Sequence, residues 1–72
     1  MATQIVLDNL NSTALDSVVF EGNTAEVTFT SGAVYNYLVK GDTETVAADM
    51  AQAPSIGRSF NQMLGQGVLT LA

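Results

Sequence analysis

The Gly22-Asn23 pair, which separates two short apolar segments, most constrains what this chain can fold into. Glycine and asparagine tolerate the positive φ angles that a two-residue β-hairpin turn requires. The segment 24–30 alternates strictly between apolar and polar residues, which is the period of a strand buried on one face. The segment 16–21, which contains Val18, Val19 and Phe20, is predicted to be its partner strand. The sequence therefore predicts an antiparallel hairpin.

A second turn at Ser31-Gly32 leads into a third predicted strand at 33–39. If both turns are two-residue loops, one face of the sheet becomes the core. That face carries Val18, Phe20, Ala25, Val27, Phe29, Val34 and Leu38. The less apolar face carries Ser17, Val19, Glu26, Thr28, Tyr35 and Tyr37. A slip of one residue in either turn would exchange the two faces, because side chains alternate along a strand.

Two helices are predicted to follow the sheet. Asp42 or Thr43 caps the first helix, whose apolar stripe consists of Val46, Ala47, Met50 and Ala51. Pro54-Ser55 opens the second helix, and the segment 65–67 ends it. The buried face of the second helix is predicted to contain Ile56, Phe60, Met63 and Leu64. The predicted fold class is α+β, an antiparallel three- to four-stranded β-meander with two short helices packed on one face.

The whole chain, 1–72, is predicted to form one domain, with an N-terminal strand or arm at 1–11 and an apolar C-terminal strand or tail at 65–72. A domain of this size has a marginal core, and no cysteine is present to reinforce it. Small domains without such reinforcement often gain stability by associating with other chains. Candidate terminal docking strands are therefore Ile5, Val6 and Leu7 at one end and Val68, Leu69 and Leu71 at the other.

Composition excludes several classes of chemistry. The chain has no histidine and no cysteine, which excludes catalysis by those residues. A pair of carboxylates could in principle do acid–base work, but the seven acids lie mostly beside turns or on polar strand faces. We therefore predict no catalytic, cofactor-binding or metal-binding residues and no enzyme activity. The net charge is −5, and Lys40 and Arg58 are its only basic residues. Nucleic-acid binding, which depends on basic residues that release counterions, is thereby disfavoured. No apolar run is long enough to span a membrane and no signal peptide is evident, so we expect a cytoplasmic protein.

Tyr35 and Tyr37 are the most prominent candidate functional residues, because residues two apart on a strand share a face. They either pack under a terminal arm or form an exposed platform that stacks bases or anchors a protein. The predicted interaction surface consists of Tyr35, Tyr37, Val19, Thr28, Arg58 and Lys40. Ser55 and Arg58 at a helix start could also hold an anion, although Ser55 as a simple helix cap is the alternative.

Several segments together resemble the KTSC domain, a family of about this size. These segments are Ser12-Thr13-Ala14-Leu15, Val18, Phe20, Val27-x-Phe29-x-x-Gly32-x-x-Tyr35-x-Tyr37 and Ala53-x-Ser55-x-Gly57-x-x-Phe60-Asn61. The family occurs at the end of some lysyl-tRNA synthetases and alone in bacterial and phage proteins. The resemblance implies an accessory domain without catalysis, for which RNA binding has been proposed. Where family members often carry basic residues, this chain has Ile56 and the segment 63–66.

These observations predict a non-enzymatic protein-interaction module whose partners are subunits of a larger assembly or further copies of itself. Because stand-alone KTSC domains occur in phages, the concrete form is a small virion component of the decoration or cement type, which would place the protein in the virion. The alternative is an RNA-binding or single-stranded-DNA-binding accessory domain, in which the tyrosines stack bases while Arg58 and Lys40 contact phosphate.

Overall fold

The computed structural model describes residues 4–8 and 13–72, which form five strands and two helices. In chain order the elements are β1 (Gln4–Leu7), β2 (Leu15–Glu21), β3 (Thr24–Phe29), β4 (Val34–Val39), α1 (Thr43–Gln52), α2 (Ile56–Gln66) and β5 (Leu69–Leu71). The strands form one antiparallel sheet in the order β1-β2-β3-β4-β5. The α+β class is confirmed, with more strands than predicted because both terminal apolar segments pair with the sheet.

The first hairpin has the predicted register. Glu21 lies opposite Thr24, and Val18 lies opposite Val27. Gly22 has a φ of +59°, which is the left-handed conformation that this turn demands. The main-chain N–H of Val39 donates to the carbonyl of Asn23 at 2.7 Å, so the turn is also tied to the end of β4.

The predicted two-residue turn at Ser31-Gly32 is wrong. The loop has three residues, 30–32, because the Phe29 N–H donates to the Ala33 carbonyl at 2.8 Å and the Gly32 N–H donates to the Phe29 carbonyl at 2.9 Å. Gly32 has a φ of +94°, which is typical of the left-handed residue that completes a three-residue hairpin loop. The odd loop length shifts the register by one, so Val27 faces Tyr35 and Ala25 faces Tyr37.

This register exchanges the two faces of β4. Tyr37 and Val39 enter the core, whereas Val34 and Leu38 leave it. The helix face of the sheet is the face that carries the buried residues Val18, Phe20, Ala25, Val27, Tyr37 and Leu69. The open face is the opposite one. Its residues are Gln4, Val6, Ser17, Val19, Glu21, Thr24, Glu26, Thr28, Val34, Asn36, Leu38 and Thr70.

A β-bulge at Asp16 brings one further residue into the core. Leu15 lies opposite Phe29 and Ser17 opposite Thr28, so Asp16 is the extra residue in β2. Leu15 and Val18 are three positions apart and would point to opposite faces of a regular strand. The bulge reverses that alternation, and Leu15 is 1% exposed.

The two helices pack on the helix face. Val46, Ala47 and Met50 of α1 are buried as predicted, whereas Ala51 is exposed. Ile56, Phe60 and Met63 of α2 are also buried, and Leu64 is partly buried. Phe60 contacts two residues of the sheet edge to face, at 5.9 Å from Phe29 and 5.3 Å from Tyr37 between ring centroids.

Helix ends follow the sequence closely. Asp42 is the N-cap of α1, and its carboxylate accepts a hydrogen bond from the Thr45 hydroxyl at 2.7 Å. The Ser55 hydroxyl oxygen accepts from the Arg58 N–H at the start of α2. Gly67 ends α2 in the left-handed conformation, and its N–H donates to the Leu64 carbonyl.

Candidate functional site

The open face of the sheet is a surface that the described helices leave uncovered. Phe60 of α2 contacts Phe29 and Tyr37 on the other side of the sheet, and the buried residues of α1 belong to the same core. A sheet in a small α+β domain ordinarily presents polar side chains on a face exposed to water. This face is mostly polar, but it also carries the four aliphatic residues Val6, Val19, Val34 and Leu38.

Aliphatic side chains flank the centre of the open face on both sides. Val6 is 51% exposed, Val34 is 50% exposed and Leu38 is 46% exposed. Val19, which lies opposite Val6 on the neighbouring strand, is half-buried. Strand β3 runs between these groups and contributes only polar residues to this face. The open face thus has a polar centre with aliphatic side chains on β1 and β2 at one side and on β4 at the other.

Glu26 occupies the middle of this surface. Its neighbour on β2 is Val19, and its neighbour on β4 is Asn36. Glu21 lies on the same face opposite Thr24, which makes it the diagonal neighbour of Glu26 across the two strands. A shallow depression here is lined by Gln4, Val19, Glu21, Thr24, Glu26 and Asn36.

Tyr35 and Tyr37 share one face of the sheet, as predicted, but the prediction that this face points away from the helices is wrong. Both lie on the helix face, because their partners on β3 are Val27 and Ala25. Tyr37 is 8% exposed and packs against Phe60, so it belongs to the core. Tyr35 is 48% exposed at the end of the sheet, with its ring 5.7 Å from that of Phe29. The two rings therefore do not form an exposed platform.

Burial changes the titration of the inner tyrosine. Loss of water around Tyr37, with a smaller contribution from charge on Tyr35, raises the pKa of Tyr37 above its ordinary value of 10.0. Tyr37 consequently stays protonated in the folded protein to higher pH than a tyrosine in water.

The other predicted surface residues are dispersed. Val19 and Thr28 lie half-buried on the open face. Lys40 is exposed just beyond β4, where its N–H donates to the Val68 carbonyl at 2.8 Å. Arg58 is exposed in the first turn of α2, beside the cap residue Ser55. The fold thus places Arg58 on the helix layer, on the other side of the sheet from Val19 and Thr28.

The predicted docking strands are the edge strands of the sheet. Among the strands of residues 4–8 and 13–72, β1 pairs only with β2 and β5 pairs only with β4. Val6 and Leu71 are exposed, the latter by 64%. Ile5, Leu7 and Val68 are partly buried against the core, and Leu69 is a core residue at 1% exposure. Leu69 therefore stabilises the domain itself and is not available for docking.

Within residues 4–8 and 13–72, no group of three or more acidic side chains is arranged to hold a metal ion. In the same part of the chain, neither helix is long and apolar enough to cross a membrane.

Sequence reasoning missed Val34 and Leu38 as surface residues. The signal that could have identified them is Gly32 itself, because a Thr-Ser-Gly loop with a left-handed glycine at its third position also closes a hairpin. Reading that loop would have placed both aliphatic residues on the open face.

Comparisons of this chain with models of protein families, with curated proteins and with solved structures find no match.

Proposed function

We propose that this chain is a non-enzymatic protein-interaction module that docks a different protein on the open face of its sheet. The observation that carries the proposal is the exposure of Val6, Val34 and Leu38 on a sheet face that no described helix covers. Burial of aliphatic side chains stabilises an interface by roughly 25 cal/mol per Å² of apolar area. A partner can bury these three side chains without disturbing the core, because the helices pack on the other face.

A second copy of the chain fits this face poorly. Two open faces brought together would place Glu21 and Glu26 of one copy in an interface with the same two residues of the other. The described strand residues of the open face include no basic one, and neither glutamate is ion-paired there, so such an interface would bring like charges together. Like charges brought together in an interface cost several kcal/mol. Because a face-to-face dimer is disfavoured, we propose a different protein as the docked partner.

The resemblance to the KTSC domain supports an accessory role without catalysis. We extend the proposal to a small structural component of a larger assembly, such as a phage virion protein of the decoration or cement type. In that setting the anionic domain, with net charge −5, would attach through its open face to a larger shell.

Position-specific photo-crosslinking in cells that naturally produce the protein tests this proposal. A photo-crosslinking amino acid is placed at Leu38 on the open face and, as the matched control, at Gln62, which is exposed on α2. We expect a discrete adduct with another protein from position 38 and none from position 62. Absence of an adduct at position 38, or the same adducts from both positions, would overturn the proposal.

A further inference from the structure

Glu26 is the charged residue nearest the centre of the open face, with aliphatic side chains on both sides of it. Val19 lies beside it on β2, and Val34 and Leu38 lie on β4. A partner that covers these aliphatic side chains must also cover Glu26. This inference rests on the proposed function, since it concerns what the docked protein must bring to that point.

Glu21 adds a second carboxylate to the same place. The two residues are diagonal neighbours on adjacent strands, whose Cα atoms are ordinarily roughly 7–8 Å apart. Both line the shallow depression of the open face. The Thr24 hydroxyl donates to the main-chain carbonyl of Glu21 at 2.8 Å, so it leaves the carboxylate free for other contacts. Gln4 and Asn36 border the depression with amide groups.

Within the described residues, no basic side chain forms an ion pair with Glu21 or Glu26. Lys40 lies beyond the end of β4, and Arg58 is on α2 behind the sheet. Covering a carboxylate with a partner removes its water, which costs several kcal/mol unless a hydrogen-bonded countercharge replaces that water. Docking on the open face therefore requires a positive group at the depression.

We propose that the docked protein presents an aliphatic surface with an arginine side chain that enters the depression between Glu21 and Glu26. A guanidinium group suits this place, because its planar fork donates several hydrogen bonds and can contact two carboxylates at once. The aliphatic side chains around it exclude water from the ion pair, which is the arrangement of an interface hot spot.

The test uses the protein identified by crosslinking at position 38, purified and titrated against the chain by calorimetry. Glu26→Gln keeps the size of the side chain and removes its charge, and Glu26→Lys reverses the charge. Glu44→Gln is the matched control, because Glu44 is an exposed acid in the first turn of α1. We expect E26Q to weaken binding roughly tenfold or more, E26K to weaken it further and E44Q to leave it within about twofold.

The outcomes separate this inference from the proposed function. If the partner binds and E26Q binds as tightly as the unmodified chain, or if E44Q weakens binding equally, the inference fails while docking on the open face stands. If mass spectrometry finds no arginine in the partner peptide joined to position 38, or in its neighbourhood in the partner's fold, the inference also fails. If position 38 gives no adduct at all, the proposed function itself fails.

Discussion

The rings of Tyr37 and Phe60 meet edge to face, with centroids 5.3 Å apart and planes inclined at 84°. This contact joins β4 to α2, and Phe60 continues it to Phe29 on β3 at 5.9 Å. One residue of α2 therefore holds the helix against two strands. Edge-to-face pairs of this kind add about 0.5–1.5 kcal/mol beyond the burial of their area.

Replacement of Phe60 by alanine is expected to lower the free energy of unfolding by about 3–5 kcal/mol, because it removes both ring contacts and leaves a cavity. Urea denaturation followed by circular dichroism measures the change. Gln62→Ala on the exposed side of the same helix serves as the control and is expected to change stability by less than about 0.5 kcal/mol. A loss below about 1 kcal/mol for Phe60→Ala would contradict the packing described for α2.

Stability is expected to fall in alkaline solution because of Tyr37. Its pKa is raised in the folded state, so the unfolded chain loses this proton first as the pH rises. The stability that Tyr37 contributes is fully present below about pH 10, the ordinary tyrosine value, and is lost as the pH rises toward the folded-state pKa. Thermal melts between pH 8 and 12 would show a decrease that Tyr37→Phe reduces. Tyr35→Phe is the matched control, and an equal effect of both variants would argue against burial of Tyr37 as the cause.

Gly32→Ala is expected to destabilise the domain by about 1–2 kcal/mol, since φ at this position is +94° and an L-residue adopts that conformation at a cost. A Cβ at position 32 would meet nothing within 4 Å, so the effect isolates the backbone. Gly65→Ala in α2 is the comparison variant, because a Cβ at position 65 also meets nothing within 4 Å and the backbone there is helical. It should stabilise by about 0.5–1 kcal/mol, because alanine favours a helix more than glycine does. Chemical denaturation of both variants checks the pair, and the same sign for both would refute the three-residue loop.

Single-stranded RNA and DNA are expected not to bind, even at low salt where the electrostatic contribution is largest. The chain offers only Lys40 and Arg58 against a net charge of −5, and Tyr37 is not available for stacking. Fluorescence anisotropy with labelled mixed-sequence oligonucleotides would measure this. Saturable, salt-dependent binding that is lost in Arg58→Gln would refute the prediction and favour the nucleic-acid alternative.

The sequence predicted the elements whose signals are local. The Gly22-Asn23 turn determined the register of β2 and β3. Ser55 marked the start of α2, and the segment 65–67 marked its end, which the structure places at Gln66 with Gly67 as the cap. Each signal depends on the conformation of one or two residues, which the residue type restricts strongly. The α+β class followed from the order of these elements.

The candidate site was harder to predict, because it depends on alternation along a whole strand. One additional residue in the loop before β4 moved Tyr37 into the core and Val34 and Leu38 onto the open face. The bulge at Asp16 likewise moved Leu15 into the core. Both two- and three-residue loops suit the local residues, so the residues of the loop do not select one of them.

The strand order also has a consequence for how the chain folds. Among β1 to β4, each strand pairs with the one that follows it without an intervening helix. The pairing of β5 with β4 is different, because both helices lie between them in the chain. Contacts between near neighbours form quickly, and pairing across a long intervening segment costs more loop-closure entropy. We therefore expect the meander to assemble first and β5 to dock last. Until β5 docks, the main-chain N–H and C=O groups on the outer edge of β4 are unpaired and can pair with a strand from another chain.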